Sequence, residues 1–151
     1  MTRIGLSEMP GFVRIYLYSS RGIPSIDLLA NGQQIIDGWR DPLTGVITPG
    51  YRAGGVRVDV LPMVERAVDF AVGVEMLPGY SLTPAVVQQL GDIFATVIAG
   101  VETEDVLYVG TIVDELLGVT GVKRVVPASN ENIVCGANET LVPGEFTATA
   151  L

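Results

Sequence analysis

The stretch VDFAVGVEMLPGYSLTPAVVQQLGDIFATVIAG, residues 68–100, carries the two strongest secondary-structure signals of the chain. Apolar residues alternate with small or acidic ones over its first nine positions, which is typical of a strand with one buried face. From residue 86 to residue 98 apolar residues recur at helical spacing, so we expect an amphipathic helix there. Thr83 suits the N-cap, Pro84 suits the first helical position, and Gly100 ends the pattern. The stretch therefore predicts a strand followed by a long helix.

The next stretch, VLYVGTIVDELLGVTGVKRV, residues 106–125, predicts a short helix, a glycine turn and a strand. Thr111 is followed by Asp114 three residues later, which is an N-terminal capping pattern. Gly118 and Gly121 supply residues that turn freely before the strand VKRVV. The remaining tail contains one or two further strands, NIVCG and EFTATAL.

The part of the chain before residue 68 has weaker signals. FVRIYLYS (residues 12–19) alternates like a strand, and apolar residues including Leu28, Ile35 and Trp39 recur at helical spacing in PSIDLLANGQQIIDGWRD (residues 24–41). Two glycines in this helix cost about 1 kcal/mol each, so we expect tertiary packing to hold it. Residues 42–55 predict a long loop, in which a brief strand is an open alternative, and VRVDV (residues 56–60) predicts a strand.

These elements predict an α+β protein of two small lobes. A first strand–helix–strand lobe covers residues 1–63, and a second lobe, strand–helix–helix–strand with a strand-containing tail, covers residues 64–151. We expect the second lobe to hold a core in which the helical stripe packs on the alternating strand. Its predicted members are Val86, Leu90, Phe94, Val97, Leu116 and Leu117 against Val68, Phe70, Val72 and Val125.

Composition predicts a folded globular protein. The chain has 151 residues, of which 48% are hydrophobic and 17% charged. Its apolar runs end well short of the roughly 18 residues of a membrane span, and the opening residues lack the apolar region of a signal peptide. The single cysteine, Cys135, excludes an internal disulfide and fits a reducing compartment, so we expect synthesis in the cytoplasm.

Charge is distributed unevenly along the chain. Residues 1–75 carry seven Arg against eight acidic residues, whereas residues 76–151 carry two basic residues against nine acidic ones. Because phosphate binding needs a basic surface, nucleic acid is not an expected partner. The acidic half favours a partner that presents a basic face.

No catalytic, cofactor-binding or metal-binding residues are predicted. The chain has no histidine, which removes the commonest general base and most zinc chemistry. Asp114 and Glu115 are adjacent and point about 100° apart on a helix, which favours a dipole role over paired catalysis. GVTGVK (residues 118–123) has the wrong spacing for a phosphate loop, and Arg52 in a glycine-rich connector is a weak anion-site candidate. The expectation is a protein that is not an enzyme.

Four motifs in order resemble one family. The four motifs are GFVRIYLYS, a helix ending in WRDPLTG, VDFAVGVEMLPGYSL before an amphipathic helix, and LYVGTIVDELLGVTGVKRV. Through them the chain resembles the carboxyl-terminal region of baseplate J-like proteins over roughly residues 11–146. Members of this family form wedges of the baseplate in contractile-tailed bacteriophages and related injection machines, and they tend to be longer, with a portion ahead of this region. The connector at residues 42–55 is longer and richer in glycine than the family pattern.

The resemblance implies a structural subunit of a phage or prophage tail baseplate. It implies other tail baseplate proteins as partners, no cofactor, no nucleic acid and no membrane, and a monomer or weak oligomer in isolation. The expected location is the host cytoplasm during assembly and then the virion tail baseplate. The alternative is a small-molecule-binding or regulatory α+β module, with the glycine turns at Gly79 and Gly121 near a ligand.

Overall fold

The computed structural model describes residues 3–151 and shows an α+β protein, as the sequence predicts. The helices in this range are α1 (Ile26–Asp37), α2 (Pro84–Gly100) and α3 (Val109–Leu117). The strands in this range are β1 (Arg3–Met9), β2 (Phe12–Tyr18), β3 (Gly38–Arg40), β4 (Ile47–Pro49), β5 (Arg57–Pro62), β6 (Val64–Met76), β7 (Val106–Leu107), β8 (Val122–Pro127), β9 (Ile133–Val134) and β10 (Glu139–Ala150).

Residue contacts divide the chain into two compact units. The first unit takes in Val64 and the described residues before it, together with Gly136–Thr140. The second unit consists of Glu65–Cys135 and Leu141–Leu151. The predicted boundary, between residues 63 and 64, lies one residue from this division.

The returning segment Gly136–Thr140 belongs to the first unit, although the sequence places it in the second lobe. Buried Arg3 donates a hydrogen bond from Nη1 to Thr140 Oγ1 at 2.9 Å, and Val64 N donates to the carbonyl of Asn138 at 2.9 Å. These contacts join residues more than seventy positions apart, so no local pattern indicates them.

The first unit is built on the sheet β1-β2-β5. Strand β1 was not predicted; it pairs antiparallel with β2 over seven positions, from Arg3 opposite Tyr18 onward. Strand β2 pairs in parallel with β5, and α1 lies in the connection between them. This strand–helix–strand order follows the prediction for the lobe.

Helix α1 docks on the edge of β5 through a glutamine. Gln33 Nε2 donates to the carbonyl oxygen of Val58 at 2.7 Å, and Gln33 Oε1 accepts from the backbone N–H of Val60 at 2.8 Å. One side chain thereby satisfies a donor and an acceptor of a strand edge, which protects that edge from pairing with another chain. The helix begins after Ser25, whose Oγ caps it by accepting from Leu28 N.

For residues 24–55 the predicted end of the helix is wrong, and the open alternative of a brief strand in the loop is confirmed. The helix stops at Asp37, because Gly38 has φ 78°, so Trp39 lies in β3 and not in the helical stripe. The predicted loop contains β4, whose Thr48 pairs with Trp39 in an antiparallel hairpin. At the tip, Asp41 Oδ1 accepts from the backbone of Leu43. A hydrogen bond from the Thr44 side chain, with backbone bonds, holds the pKa of Asp41 below its ordinary value.

The second unit is built on the sheet β10-β6-β8, with β6 in the centre. Strand β8 pairs antiparallel with β6, with a bulge after Glu75. Strand β10 runs parallel to β6, since its contacts advance together along both strands: Glu145 N donates to Asp69 Oδ1, and Leu151 N donates to the carbonyl of Val74. The alternation predicted for residues 68–76 matches the buried side of β6.

Helix α2 has the predicted ends, and α3 does not have the predicted start. Thr83 Oγ1 accepts from Val86 N, Pro84 opens α2, and the helix ends at Gly100. The predicted cap of α3 at Thr111 is wrong, since the helix begins two residues earlier, at Val109. Val109 N donates instead to Asn132 Oδ1 at 3.0 Å.

The core of the second unit contains most of the predicted residues and several more. Six of the predicted residues are buried: Leu90, Phe94, Leu116, Val68, Val72 and Val125. Three more are partly buried against them: Val86, Val97 and Phe70. Leu117 was predicted in this core but is 40% exposed, because it follows Leu116 and points off the buried side of α3. The buried residues that the prediction omitted include Val74, Ile98, Leu107, Ile112, Val122 and Leu141.

The ion pairs between β6 and β8 predict that the stability of the protein depends on pH. Lys123 donates to Glu75 at 2.6 Å and Arg124 lies 3.0 Å from the same carboxylate, and the Lys123 bond above all lowers the pKa of Glu75 from 4.5. Because the folded-state pKa is the lower one, the stability from Glu75 is complete above about pH 4.5 and is lost as the pH falls through the lowered value.

We therefore expect the free-energy difference between the wild type and Glu75→Gln to be present at neutral pH and to vanish in acid. Urea unfolding of both proteins over a pH series measures it. A difference that stays constant with pH would show that the carboxylate charge does not contribute.

Candidate interaction surfaces

The first unit buries few apolar side chains and exposes many. Among the described residues, 2 of the 18 buried hydrophobic residues (Val58 and Met63) and 12 of the 19 exposed large hydrophobic residues belong to this unit. Helix α1 contributes no fully buried residue. The stability of this unit therefore rests on backbone pairing and partly buried side chains, and much of its apolar surface faces water.

One part of that surface, which we call the first apolar face, is formed by five exposed residues: Leu28, Asn31, Ile35, Trp39 and Tyr51. Leu28 and Ile35 are seven residues apart on α1 and so lie on one side of the helix. Ile35 is 60% exposed, Trp39 45% and Tyr51 84%. Asn31, Ile35, Trp39 and Tyr51 line a shallow cavity of about 460 Å³ together with β4 residues. The helical stripe predicted from the sequence consists of Leu28, Leu29, Ile35, Ile36 and Trp39. In the structure Leu29 and Ile36 are partly buried, whereas Leu28, Ile35 and Trp39 are exposed.

The first apolar face is held in shape by a close backbone approach. A Cβ atom on Gly50 would overlap the backbone of Ile36, Asp37 and Gly38, where α1 meets β3. Arg52 N also donates to the carbonyl of Ile36 at 2.9 Å. Only glycine fits here, because the atoms that a side chain would strike belong to the main chain and cannot rotate away.

We expect Gly50→Ala to lower the stability of the first unit by about 1–3 kcal/mol, the usual cost of overpacking. Gly54→Ala is the matched control, because nothing lies within 4 Å of a Cβ there; it should be neutral or slightly stabilising. Native-state hydrogen exchange at the amides of β3 and β4 measures both. Unchanged protection in Gly50→Ala would contradict the close approach.

The second unit has two open grooves along α2. The α2–α3 groove, of about 570 Å³, has an apolar floor that includes Val97, Val101, Val106 and Leu107, and Asp105 and Glu115 on its rim. The α2–β10 groove, of about 690 Å³, is lined by residues that include Gln88, Asp92, Pro143 and Phe146. Neither groove was predicted, because each depends on how elements distant in sequence meet.

Of the two glycine turns of the alternative hypothesis, the turn at Gly121 is covered by protein, whereas nothing lies within 4 Å of a Cβ placed on Gly79. Gly79 and Gly121 both have φ 88°, and Leu77 N donates to the carbonyl of Gly121 at 2.8 Å. The ring of Tyr80 lies directly on Gly121, where a Cβ would collide with it. Neither glycine lines the grooves described above.

Three other residues were weighed as site candidates in the sequence: Arg52, Asp114 and Glu115. Arg52, considered for an anion, forms an ion pair with Asp37 at 3.1 Å. Asp114 and Glu115 are both exposed on α3.

Among the side chains that the structure describes, those of residues 3–7 and 10–151, no three of His, Cys, Asp or Glu come close enough together to hold a metal ion. None of the helices in the described part of the chain is long and apolar enough to cross a membrane.

Neither models of protein families nor curated proteins gave a match to this sequence. The likeness to the baseplate J-like family therefore remains a prediction from the four motifs quoted above. What the structure adds is the distribution of apolar surface and charge.

Proposed function

We propose that this chain is a structural subunit of the contractile-tail baseplate of a bacteriophage or prophage, without catalytic activity. It assembles with neighbouring wedge proteins in the host cytoplasm and then resides in the virion tail. The motifs shared with the baseplate J-like family support this proposal, as does the absence of histidine from the sequence.

The observation that carries the proposal is the first apolar face. Soluble monomers rarely expose large contiguous apolar patches, and such patches mark surfaces that bind other proteins. Trp39 and Tyr51 are of the residue types that most often dominate binding energy at interfaces. In a subunit that joins an assembly, this face is covered by a neighbour, and burial of its apolar area stabilises the complex.

The charge of the chain fits the same function. The net charge of −8 keeps the isolated chain soluble despite its exposed apolar residues. In isolation we expect a monomer or weak oligomer, because each surface binds weakly until several neighbours engage together.

Co-expression with the adjacent tail genes, followed by size-exclusion chromatography, tests the proposal. We expect the wild type to co-elute with at least one tail protein and Ile35→Asp to elute alone, because a charge in the centre of the apolar face cannot be desolvated without loss. Ile26→Asp is the matched control: it makes the same change on the same helix, at a site that is 84% exposed. Ile26 lies about two and a half turns from Ile35 and therefore on the opposite side of the helix.

Circular dichroism of both variants verifies that they fold. If the wild type never co-elutes with any tail protein, or if Ile26→Asp and Ile35→Asp lose binding equally, the proposal is wrong. Tight binding of a metabolite in a calorimetric screen would instead favour the small-molecule-binding alternative.

A further inference from the structure

The α2–α3 groove combines an apolar floor with a rim of one charge sign. Leu107 and Val101 are buried in its floor, while Val97 and Val106 are partly exposed to it. Its charged lining residues are Asp105 and Glu115, and no Lys or Arg lines it. Half-exposed Tyr108 stands beside them at the start of α3.

The unit around the groove is strongly acidic. The second unit (Glu65–Cys135 and Leu141–Leu151) contains eleven acidic residues and three basic ones, so its formal net charge is −8. The rest of the chain has six acidic and six basic residues. None of the three basic residues of the second unit lines the groove. Lys123 and Arg124 form ion pairs with Glu75, and Arg66 donates a hydrogen bond to the carbonyl of Val134. The field at the groove is therefore negative.

We propose that the α2–α3 groove binds a segment of a partner protein in which apolar side chains are flanked by lysine or arginine. The apolar side chains lie on Val97, Val106 and Leu107 and supply most of the affinity. The cations lie against Asp105 and Glu115, which orients the segment and speeds its docking. Because the partner is a protein of the same assembly, this inference rests on the proposed function and names the chemistry of one neighbour.

Charge also argues against other occupants of the groove. Anionic metabolites, nucleic acid and anionic membrane surfaces are repelled by its carboxylates. A second copy of the chain, paired symmetrically through this face, would place two units of charge −8 against each other. A basic segment with apolar anchors is the occupant that both the floor and the rim favour.

The test uses the full chain labelled with ¹⁵N and a capped twelve-residue peptide of leucine and lysine in alternating pairs. Matched peptides replace every lysine by glutamate, or every leucine by serine. We expect amide shifts concentrated at residues 96–111 with the leucine–lysine peptide, binding that weakens as salt rises, and at least tenfold weaker binding of both matched peptides.

Two variants locate the binding. Asp105→Asn with Glu115→Gln should weaken binding at least threefold and reduce its salt dependence. Glu131→Gln with Glu145→Gln removes the same charge outside the groove and should change affinity less than twofold. Thr96→Phe, which fills the groove from an exposed helix position, should weaken binding at least tenfold.

The proposal is overturned if no peptide binds, if the glutamate peptide binds as well as the lysine peptide, or if both double variants weaken binding equally. Shifts at the groove that depend on the concentration of the chain alone would identify a self-association face and also overturn it. Because the peptides replace the tail proteins, failure here is distinct from failure of the co-expression experiment.

Discussion

Phe94→Ala should lower the free energy of unfolding by about 3–5 kcal/mol, the usual cost of removing a buried phenylalanine. Phe94 is 1% exposed, and its ring stacks between two others, with centroid distances of 5.6 Å to Phe70 and 5.4 Å to Phe146. These partners lie on β6 and β10, so one helix side chain joins α2 to two strands of the sheet. Its loss leaves a cavity at the centre of the second unit.

Urea unfolding followed by circular dichroism measures this loss. A typical domain has only about 5–15 kcal/mol of stability, so the variant should melt far earlier than the wild type. Val134→Ala is the control, since Val134 is 63% exposed and its truncation should change stability by less than about 0.5 kcal/mol. A loss below about 1 kcal/mol in Phe94→Ala would contradict the three-ring packing.

The second unit was largely predictable because its signals are local. An alternating strand and a helical stripe indicate which sides of β6 and α2 are buried. The cap at Thr83 is also local, because its side chain accepts from the amide of Val86, three residues later. The start of α3 was predicted wrongly for a physical reason. Its first amide, on Val109, donates to Asn132, which lies twenty-three residues later in the chain, and a local capping pattern at Thr111 cannot reveal that contact.

The first unit was less predictable because periodicity shows where apolar residues lie, not whether anything covers them. In β1 the usual pattern is inverted: Arg3 and Gly5 are buried, while Ile4 is 63% exposed and Leu6 45%. Helix α1 docks through the polar Gln33, while its apolar Ile35 faces water. A sequence pattern for a buried face and one for an interface are alike, since both are apolar.

That ambiguity is itself informative about function. A chain with one unit packed around its own core and another with its apolar residues exposed is suited to assembly, where the neighbour completes the packing. The proposed baseplate role assigns the first apolar face to such a neighbour, and the α2–α3 groove to a basic segment.

Comparing Leu116→Ala with Leu117→Ala tests how α3 packs in the second unit, because these adjacent leucines differ in burial. Leu116 is fully buried and Leu117 is 40% exposed, although the sequence alone predicted both in the core. We expect Leu116→Ala to cost about 2–5 kcal/mol, since it removes buried apolar area and leaves a cavity between α3 and the sheet. Leu117→Ala makes the same chemical change on the same helix, so it shares any effect on helix propensity and should cost less than about 1 kcal/mol. Urea unfolding of the two variants gives the difference, and equal losses would mean that α3 is rotated about its axis relative to the described packing.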